Sequence, residues 1–125
     1  MKAIKIDAYA NTITEVEIGT DFREISRNIG CDLFCIGHTL PNGDTLFVDD
    51  EGWLNGNVTR AFGFDGRVMA GNGLIVGSNR SGDSVSAKSS LDAIKRLTEF
   101  PPEGWSIDDS TRDAAMSGFK LTMMA

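Results

Sequence analysis

The side chains best suited to acid/base chemistry are the single histidine, His38, and the adjacent carboxylates of VDDEG, Asp49 and Asp50. His38 lies in CIGHTL and the carboxylates follow LFV, on the two sides of a PNGD turn. Because the strands of a hairpin run side by side, His38 could approach Asp49 or Asp50 and act with it as a general acid and base. A histidine paired with a carboxylate is more often structural. The alternative for VDDEG is a turn, since aspartates accept hydrogen bonds from nearby backbone N–H groups.

The sequence disfavours a metal site. Neighbouring strand residues point to opposite faces, so Asp49 and Asp50 cannot chelate one ion unless the turn reorients them. Cys31 and Cys35 are too far apart on an extended chain to form a disulfide. With one histidine in the chain, they also lack partners for a zinc site. We expect both cysteines to be small buried hydrophobic residues, and we predict no metal, no cofactor and no catalytic residues.

A small anionic ligand is the binding function that the polar residues favour. GNG at positions 71–73 precedes an apolar strand, and the N–H groups of such a loop can cradle a phosphate. It lacks the spacing of the known nucleotide-binding loops, so a tight turn is the alternative. Basic side chains between positions 60 and 96 could line a pocket, although each could instead be solvated surface. The predicted ligand-binding residues are Arg60, Arg67, Asn72, Arg80, Lys88, Lys95 and Arg96.

Composition limits the other functions. The 125 residues suit one compact domain, and 41% apolar with 24% charged residues is ordinary for a globular protein. Twelve basic residues against 18 acidic ones give a net charge of -6, which argues against direct binding of duplex DNA. No apolar run approaches the length of about 18 residues that a membrane helix needs. The N-terminal residues alternate in polarity, unlike a signal peptide, so we expect a cytoplasmic protein.

The first half of the chain predicts a hairpin followed by a helix. KAIKID at 2–7 and TITEVEI at 12–18 both alternate in polarity, which predicts an antiparallel hairpin with one face toward water. A helix is predicted from about 21 to 29, with Asp21 and Glu24 at its start and Gly30 after its end. Its expected apolar stripe consists of Phe22, Ile25 and Ile29.

The remaining turns complete the fold prediction. PNGD and Asp65-Gly66 each predict a hairpin, and residues 74–76 predict a compact strand. We expect a flexible loop at 79–86, a helix from about 88 to 99, and a C-terminal extension at 103–125. That extension is predicted to hold a short helix at 110–117 and a terminal strand. The predicted fold is therefore a small α+β single domain, 1–125, with a mostly antiparallel, curved sheet built from hairpins and two packed helices.

Three segments together resemble the DUF3846 family: MKAIKIDAYANTITEVEI, LPNGDTLFVDDEGWL and AGNGLIVG. The resemblance covers residues 1–78. It implies a small accessory protein of bacteriophages or plasmids, acting in the cytoplasm of a bacterial host. The family has no defined function, so the resemblance carries over no catalytic residues.

These observations lead to three functional hypotheses. The first is a phage-type counter-defence protein that binds and sequesters a small anionic ligand, such as a nucleotide immune signal, without turnover and as a homo-oligomer. The second is an inhibitor that binds a host defence protein or a DNA-acting protein through an acidic surface. The third is an enzyme that uses His38. The candidate acidic residues for the second hypothesis are Glu15, Glu17, Asp49, Asp50, Glu51, Asp108 and Asp109.

Overall fold

A computed structural model shows that the protein folds into three layers. The structure describes residues 1–108. A helix covers one face of a main sheet, and a smaller sheet with a second helix covers the other. This arrangement confirms the predicted small α+β fold. The described elements are β1 Lys2–Asp7, β2 Thr12–Glu17, α1 Phe22–Ile29, β3 Phe34–Thr39, β4 Thr45–Asp49, β5 Ala61–Phe64, β6 Arg67–Ala70, β7 Gly73–Ser78, β8 Ser84–Val85, α2 Leu91–Leu97 and β9 Thr98–Glu99.

The main sheet has the strand order β2-β1-β7-β4-β3, with the short β8 beside β7. All its pairings are antiparallel. The predicted hairpins β1–β2 and β3–β4 both form, and β7 inserts between them. Gly73 begins β7 where space is tight, because a Cβ there would lie 2.7 Å from a ring carbon of Phe62 and 2.8 Å from a methyl carbon of Leu46. The strand that joins the two hairpins therefore requires a glycine at its first position.

The prediction that the first hairpin has one face toward water is wrong. Ile4 pairs with Glu15 and Ala3 with Val16, so Ile4 lies on the face of Glu15, and Val16 lies on the opposite face with Ala3. Ala3 and Val16 pack in the cluster that contains α1, whereas Ile4 packs in the cluster that contains α2. Both faces of the hairpin therefore carry apolar contacts, because β1 and β2 each contribute residues to both apolar layers.

Helix α1 confirms its predicted ends. The side chain of Asp21 accepts a hydrogen bond from the backbone N–H of Arg23, and Gly30 is left-handed with φ 85°. Ile25 and Ile29 are buried against the main sheet. Phe22, at the first helical position, does not join them and is 63% exposed.

The second sheet has the order β6-β5-β9. Its hairpin turns at Asp65 and Gly66, which have φ of 49° and 80° and confirm the predicted turn. Helix α2 is shorter than the predicted 88–99. Ser90 caps it by accepting a hydrogen bond from the N–H of Ala93, and residues 98–99 leave the helix to pair with β5 as β9.

A buried carboxylate fixes the segment that leads into α2. Asp44 of PNGD is 0% exposed and accepts hydrogen bonds from the N–H of Lys88, the N–H of Ser89 and the hydroxyl of Ser89. The sequence predicted only a turn residue at this position. The segment expected as a flexible loop, 79–86, contains a turn in which Asn79 accepts hydrogen bonds from the N–H groups of Ser81 and Asp83, and then strand β8.

No helix within residues 1–108 has the length and apolar character needed to span a membrane. Of the predicted C-terminal extension, residues 103–108 follow the second sheet, with Ile107 buried beside Ala61 and Ala70. The predicted helix at 110–117 and the terminal strand lie outside the described residues.

Candidate functional site

His38 does not meet the carboxylates that sequence analysis paired it with. It lies opposite Leu46 in the β3–β4 ladder, whereas Asp49 lies opposite Phe34 at the other end of the hairpin. Its Nε2 atom is instead 3.0 Å from Oδ2 of Asp65, in the turn of the second sheet. The predicted pairing is therefore wrong, and the observed pair connects an edge of the main sheet to the smaller sheet.

The VDDEG segment is a turn, as its alternative interpretation held. The side chain of Asp49 accepts a hydrogen bond from the N–H of Glu51, and the N–H of Gly52 bonds to the carbonyl of Asp49. Gly52 does not have the left-handed conformation expected of it. Its Cβ would lie 2.9 Å from the carbonyl oxygen of Ala70, so close approach of the second sheet is what requires glycine here.

The cysteines are free thiols that resist ionisation. Burial raises the pKa of Cys31 to about 11, and the nearby carboxylates of Asp49 and Asp32 add to the effect. The pKa of Cys35 is also raised, by burial and then by a hydrogen bond with Asp50. Both thiols are therefore protonated near neutral pH, and neither has the lowered pKa of a catalytic cysteine.

No three histidine, cysteine, aspartate or glutamate side chains within residues 1–108 are arranged to hold a metal ion. Three carboxyl-bearing residues, Asp32, Asp49 and Glu51, line one pocket of about 240 Å³ beside Cys31. Of the remaining candidate acidic residues, Glu15 and Glu17 lie on β2 at the far side of the main sheet. The described acidic candidates therefore do not form one continuous patch; Asp109 lies outside the described residues.

Two of the predicted ligand-binding residues hold the turn between β1 and β2. The side-chain oxygen of Asn72 accepts a hydrogen bond from the N–H of Ala8. Arg60 donates to the carbonyls of Ala8 and Trp105 and to the side-chain oxygen of Asn11. The side-chain oxygen of Asn72 and the guanidinium of Arg60 are thus engaged with the chain itself. Both residues therefore position this turn. The guanidinium of Arg60 contacts Asn11, which lines a cleft between β2 and α2.

Three other predicted residues lie apart from one another. Arg67 is exposed at the start of β6, and Arg80 is exposed in the turn between β7 and β8. Lys88 lies beside the PNGD turn, where its ammonium group is 3.5 Å from the carbonyl oxygen of Asn42. The chain folds these cations toward different parts of the surface.

The last two predicted residues, Lys95 and Arg96, occupy the last turn of α2. Lys95 borders a cleft of about 460 Å³ between the edge strand β2 and the end of α2. Lys95 and Arg96 also share a shallow surface cleft with Asp92. We call the cleft between β2 and the end of α2 the β2–α2 cleft. It is lined by Asn11, Thr12, Ile13, Thr14, Lys95, Thr98 and Phe100.

The lining of the β2–α2 cleft combines three kinds of group. Three threonines and an asparagine supply hydrogen-bonding side chains, one ammonium group supplies positive charge, and Ile13 and Phe100 supply apolar surface. Because β2 is an edge strand, one side of its backbone also lacks a strand partner within residues 1–108. Its volume of about 460 Å³ lies in the range typical of ligand sites.

Sequence analysis missed every lining residue except Lys95. Residues 11–14 were assigned to the first hairpin only, and nothing in their pattern shows that β2 becomes an edge or that α2 lies beside it. Phe100 directly precedes Pro101 and Pro102, and nothing in that local sequence indicates a cleft. The one local signal was the pair of hydroxyls on Thr12 and Thr14, which alternation places on the same side of a strand.

Residues 1–99 match the model of a family described as a domain of unknown function, DUF3846, and the chain belongs to that family. The match includes α2 and β9 as well as the segments that carried the resemblance. It also includes every residue that lines the β2–α2 cleft except Phe100. No curated protein and no solved structure matches the chain.

Proposed function

We propose that this DUF3846 member binds a small anionic ligand of nucleotide type in the β2–α2 cleft and sequesters it without turnover. The observation that carries the proposal is the position of Lys95 beside a cleft that also offers hydroxyl, amide and aromatic groups. The ammonium group suits a phosphate, and the ring of Phe100 suits a base.

The cleft is built on elements that are fixed independently of any ligand. Asn72 and Arg60 hold the β1–β2 turn, and Asp44 holds the segment that leads into α2. Ile94 anchors the helix itself in the core with 0% exposure. A pre-formed site loses less conformational entropy when it binds, which favours tight binding of a small molecule.

The chemistry of the lining supports binding rather than turnover. No histidine or carboxylate is among the lining residues, which all lie in the described part of the chain. His38 is bound to Asp65 elsewhere in the molecule. A protein that removes a signalling nucleotide in this way would act in the cytoplasm of a bacterial host, as an accessory protein of a mobile element.

Native mass spectrometry of the protein purified from phage-infected bacteria tests the proposal. We expect the protein to carry a stoichiometric small anion that is released on denaturation and can be identified by its mass. Lys95→Gln, which removes the positive charge from the cleft, should lower the retained fraction at least tenfold.

Arg27→Gln is the matched control, because Arg27 is also an exposed cation in the last turn of a helix but lies on α1, across the main sheet. It should retain the ligand as the unmodified protein does. A wild-type protein that carries no small molecule and also fails to bind mono- and cyclic dinucleotides in calorimetry would contradict the proposal. Equal loss in both variants would show that the cleft is not the site.

A further inference from the structure

We propose that Asn55 is a modification site, at which the backbone nitrogen of Gly56 displaces the side-chain amide and converts the asparagine to aspartate or isoaspartate. The chain contains three Asn-Gly pairs: Asn42-Gly43, Asn55-Gly56 and Asn72-Gly73. The same dipeptide therefore occurs in three environments, and the fold favours the reaction in one of them. The proposal is independent of ligand binding in the β2–α2 cleft, because none of the three pairs lines it.

The reaction is an intramolecular substitution that needs only water. The backbone nitrogen of Gly56 loses its proton to water and attacks Cγ of Asn55, so a C–N bond forms and a succinimide ring closes. The bond from Cγ to Nδ2 breaks, and Nδ2 takes up a proton and leaves as ammonia. Water then opens the ring at either carbonyl, which gives aspartate or isoaspartate. Glycine favours the first step because it has no Cβ to hinder the approach of its own nitrogen.

The Gly56 nitrogen is open to this reaction. Asn55 and Gly56 are both exposed, in the connection between β4 and β5. Within residues 1–108, the N–H group of Gly56 has no hydrogen-bond acceptor, so the nitrogen gives up no such bond when it attacks. A Cβ built on Gly56 would meet no atom of the described chain within 4 Å, apart from its two neighbours in sequence. The loop therefore has room for the ring to close.

The side-chain carbonyl of Asn55 is placed to accept the attack. Its Oδ1 atom accepts a hydrogen bond of 2.9 Å from the backbone N–H of Asn57. Negative charge develops on Oδ1 when the Gly56 nitrogen adds to Cγ, and an N–H group aimed at this oxygen stabilises that charge. Nucleophile and carbonyl belong to adjacent residues, so little entropy is lost in bringing them together.

The Asn42-Gly43 pair is held against the same reaction. The N–H of Gly43 donates to the carbonyl of Leu40 across the PNGD turn, at 3.0 Å, and this bond must break before the nitrogen can attack. The side-chain amide of Asn42 donates to the hydroxyl of Ser89, also at 3.0 Å, which holds the leaving group in place. Its Oδ1 atom accepts from the N–H of Asp44, as in the reactive pair. The difference between the two pairs therefore lies in the nucleophile and the leaving group.

The Asn72-Gly73 pair is fixed inside the main sheet. Gly73 is buried as the first residue of β7, where it pairs with Ile6 on one side and with Val48 on the other. The side-chain oxygen of Asn72 accepts a hydrogen bond from the N–H of Ala8. Ring closure requires rotation of the backbone between the two residues, and the neighbouring strands oppose that rotation.

The product changes the pocket near the start of β3. Asn55 lines this pocket together with Cys31 and three acidic residues, Asp32, Asp49 and Glu51. Loss of the amide adds another negative charge to a pocket that is already acidic. The isoaspartate product also inserts one extra carbon atom into the backbone between β4 and β5. The pocket therefore has an amide form and a carboxylate form, and their ratio changes with the age of the folded protein.

Incubation of the purified full chain at physiological temperature and neutral pH tests the proposal, with conversion at each asparagine measured by mass spectrometry of its peptides. Electron-transfer fragmentation distinguishes aspartate from isoaspartate. In the folded protein we expect Asn55 to react at least tenfold faster than Asn42 and Asn72. In urea the three pairs should react at rates within threefold of one another, because the local sequence alone then sets the rate. Asn57 is the internal control: it lies in the same exposed loop but precedes the bulky Val58, and it should remain unchanged.

Gly56→Ala tests the role of the nucleophile. The added methyl group has room in the loop, so the variant should keep the circular dichroism spectrum of the wild type. It hinders the approach of the backbone nitrogen to Cγ, so conversion of Asn55 should slow at least tenfold. The proposal would be overturned by an Asn55 that reacts no faster than Asn42 and Asn72 in the folded chain, or by wild-type conversion in Gly56→Ala. The same advantage of Asn55 in urea would also overturn it, since the fold would then not be the cause.

Discussion

The two edges of the main sheet differ in chemistry although they belong to the same sheet. Strand β2 carries Glu15 and Glu17 and borders helix α2, with a polar cleft between them. Strand β3 carries no carboxylate, lysine or arginine and exposes Ile36. Each edge leaves backbone groups without a strand partner in residues 1–108. Side chains therefore distinguish the two edges: we propose a small ligand beside β2, whereas β3 presents an apolar side chain to solvent.

The two edges also differ in the contacts that support them. The β2 side depends on a long-range clamp, because Asp44 holds the segment that leads to α2 and α2 forms one wall of the cleft. The β3 side depends on its own hairpin with β4 and on the bond between His38 and Asp65. Substitutions that remove one support should affect one edge more than the other.

The largest expected effect comes from Asp44→Ala. The change leaves three donors without their acceptor: the buried N–H and hydroxyl of Ser89 and the partly buried N–H of Lys88. We expect the free energy of unfolding to fall by about 3 kcal/mol or more, since each unsatisfied buried group costs about 1 to 3 kcal/mol. Urea denaturation measures this loss, and ligand retention by the β2–α2 cleft should fall with it.

Asp83→Ala provides the control, because Asp83 is an exposed carboxylate in the turn before the same segment. It should change the free energy of unfolding by no more than about 0.5 kcal/mol. If both variants lose the same stability, the clamp does not support the β2 side in the way that we infer.

Local sequence patterns predicted the hairpins, both helices and the turns at PNGD, VDDEG and Asp65-Gly66. They could not predict which strands become edges. The order β2-β1-β7-β4-β3 arises because β7 inserts between two hairpins that are far from it in sequence. The same limitation explains the wrong partner for His38, since Asp65 is 27 residues away on a separate sheet. Residues such as Asp44 have their partners more than 40 positions along the chain.

A smaller effect is expected from Asp65→Asn, which removes the charge facing His38 but keeps a residue that tolerates the left-handed conformation at φ 49°. We expect a loss of about 0.5 to 1.5 kcal/mol in the free energy of unfolding, the usual range for one hydrogen bond. Amide hydrogen exchange should accelerate in β3 and remain unchanged in β2, because the bond supports only the β3 side.

Glu15→Gln removes a charge from the other edge and is the control for this experiment. It should leave exchange in β3 unchanged. Faster exchange in both edge strands of Asp65→Asn would mean that the His38–Asp65 bond stabilises the whole sheet rather than one edge.

The smallest expected effect concerns negative charge that is added near each edge. Near the start of β3, burial raises the pKa of Cys31 to about 11, and Asp49 and Asp32 oppose the thiolate further. The folded pKa lies above the ordinary value of 9.0, so the thiol contributes stability below pH 9 that is lost as the pH rises toward 11. Added negative charge is therefore disfavoured at this end of β3, whereas Lys95 favours it beside β2.

Alkylation of Cys31 in a Cys35→Ser variant measures this preference. At pH 8, neutral iodoacetamide should react several times more slowly with the folded protein than with the unfolded chain, because little thiolate is present. Anionic iodoacetate should react more slowly again, since it must approach Asp32 and Asp49.

Asp49→Asn should reduce the difference in alkylation rate between the two reagents, because it removes one of the repelling charges. It keeps a side-chain oxygen that can accept a hydrogen bond from the N–H of Glu51. Equal rates for the two reagents in the parent variant would mean that burial alone protects the thiol, and the electrostatic contrast between the two edges would then rest on Lys95 only.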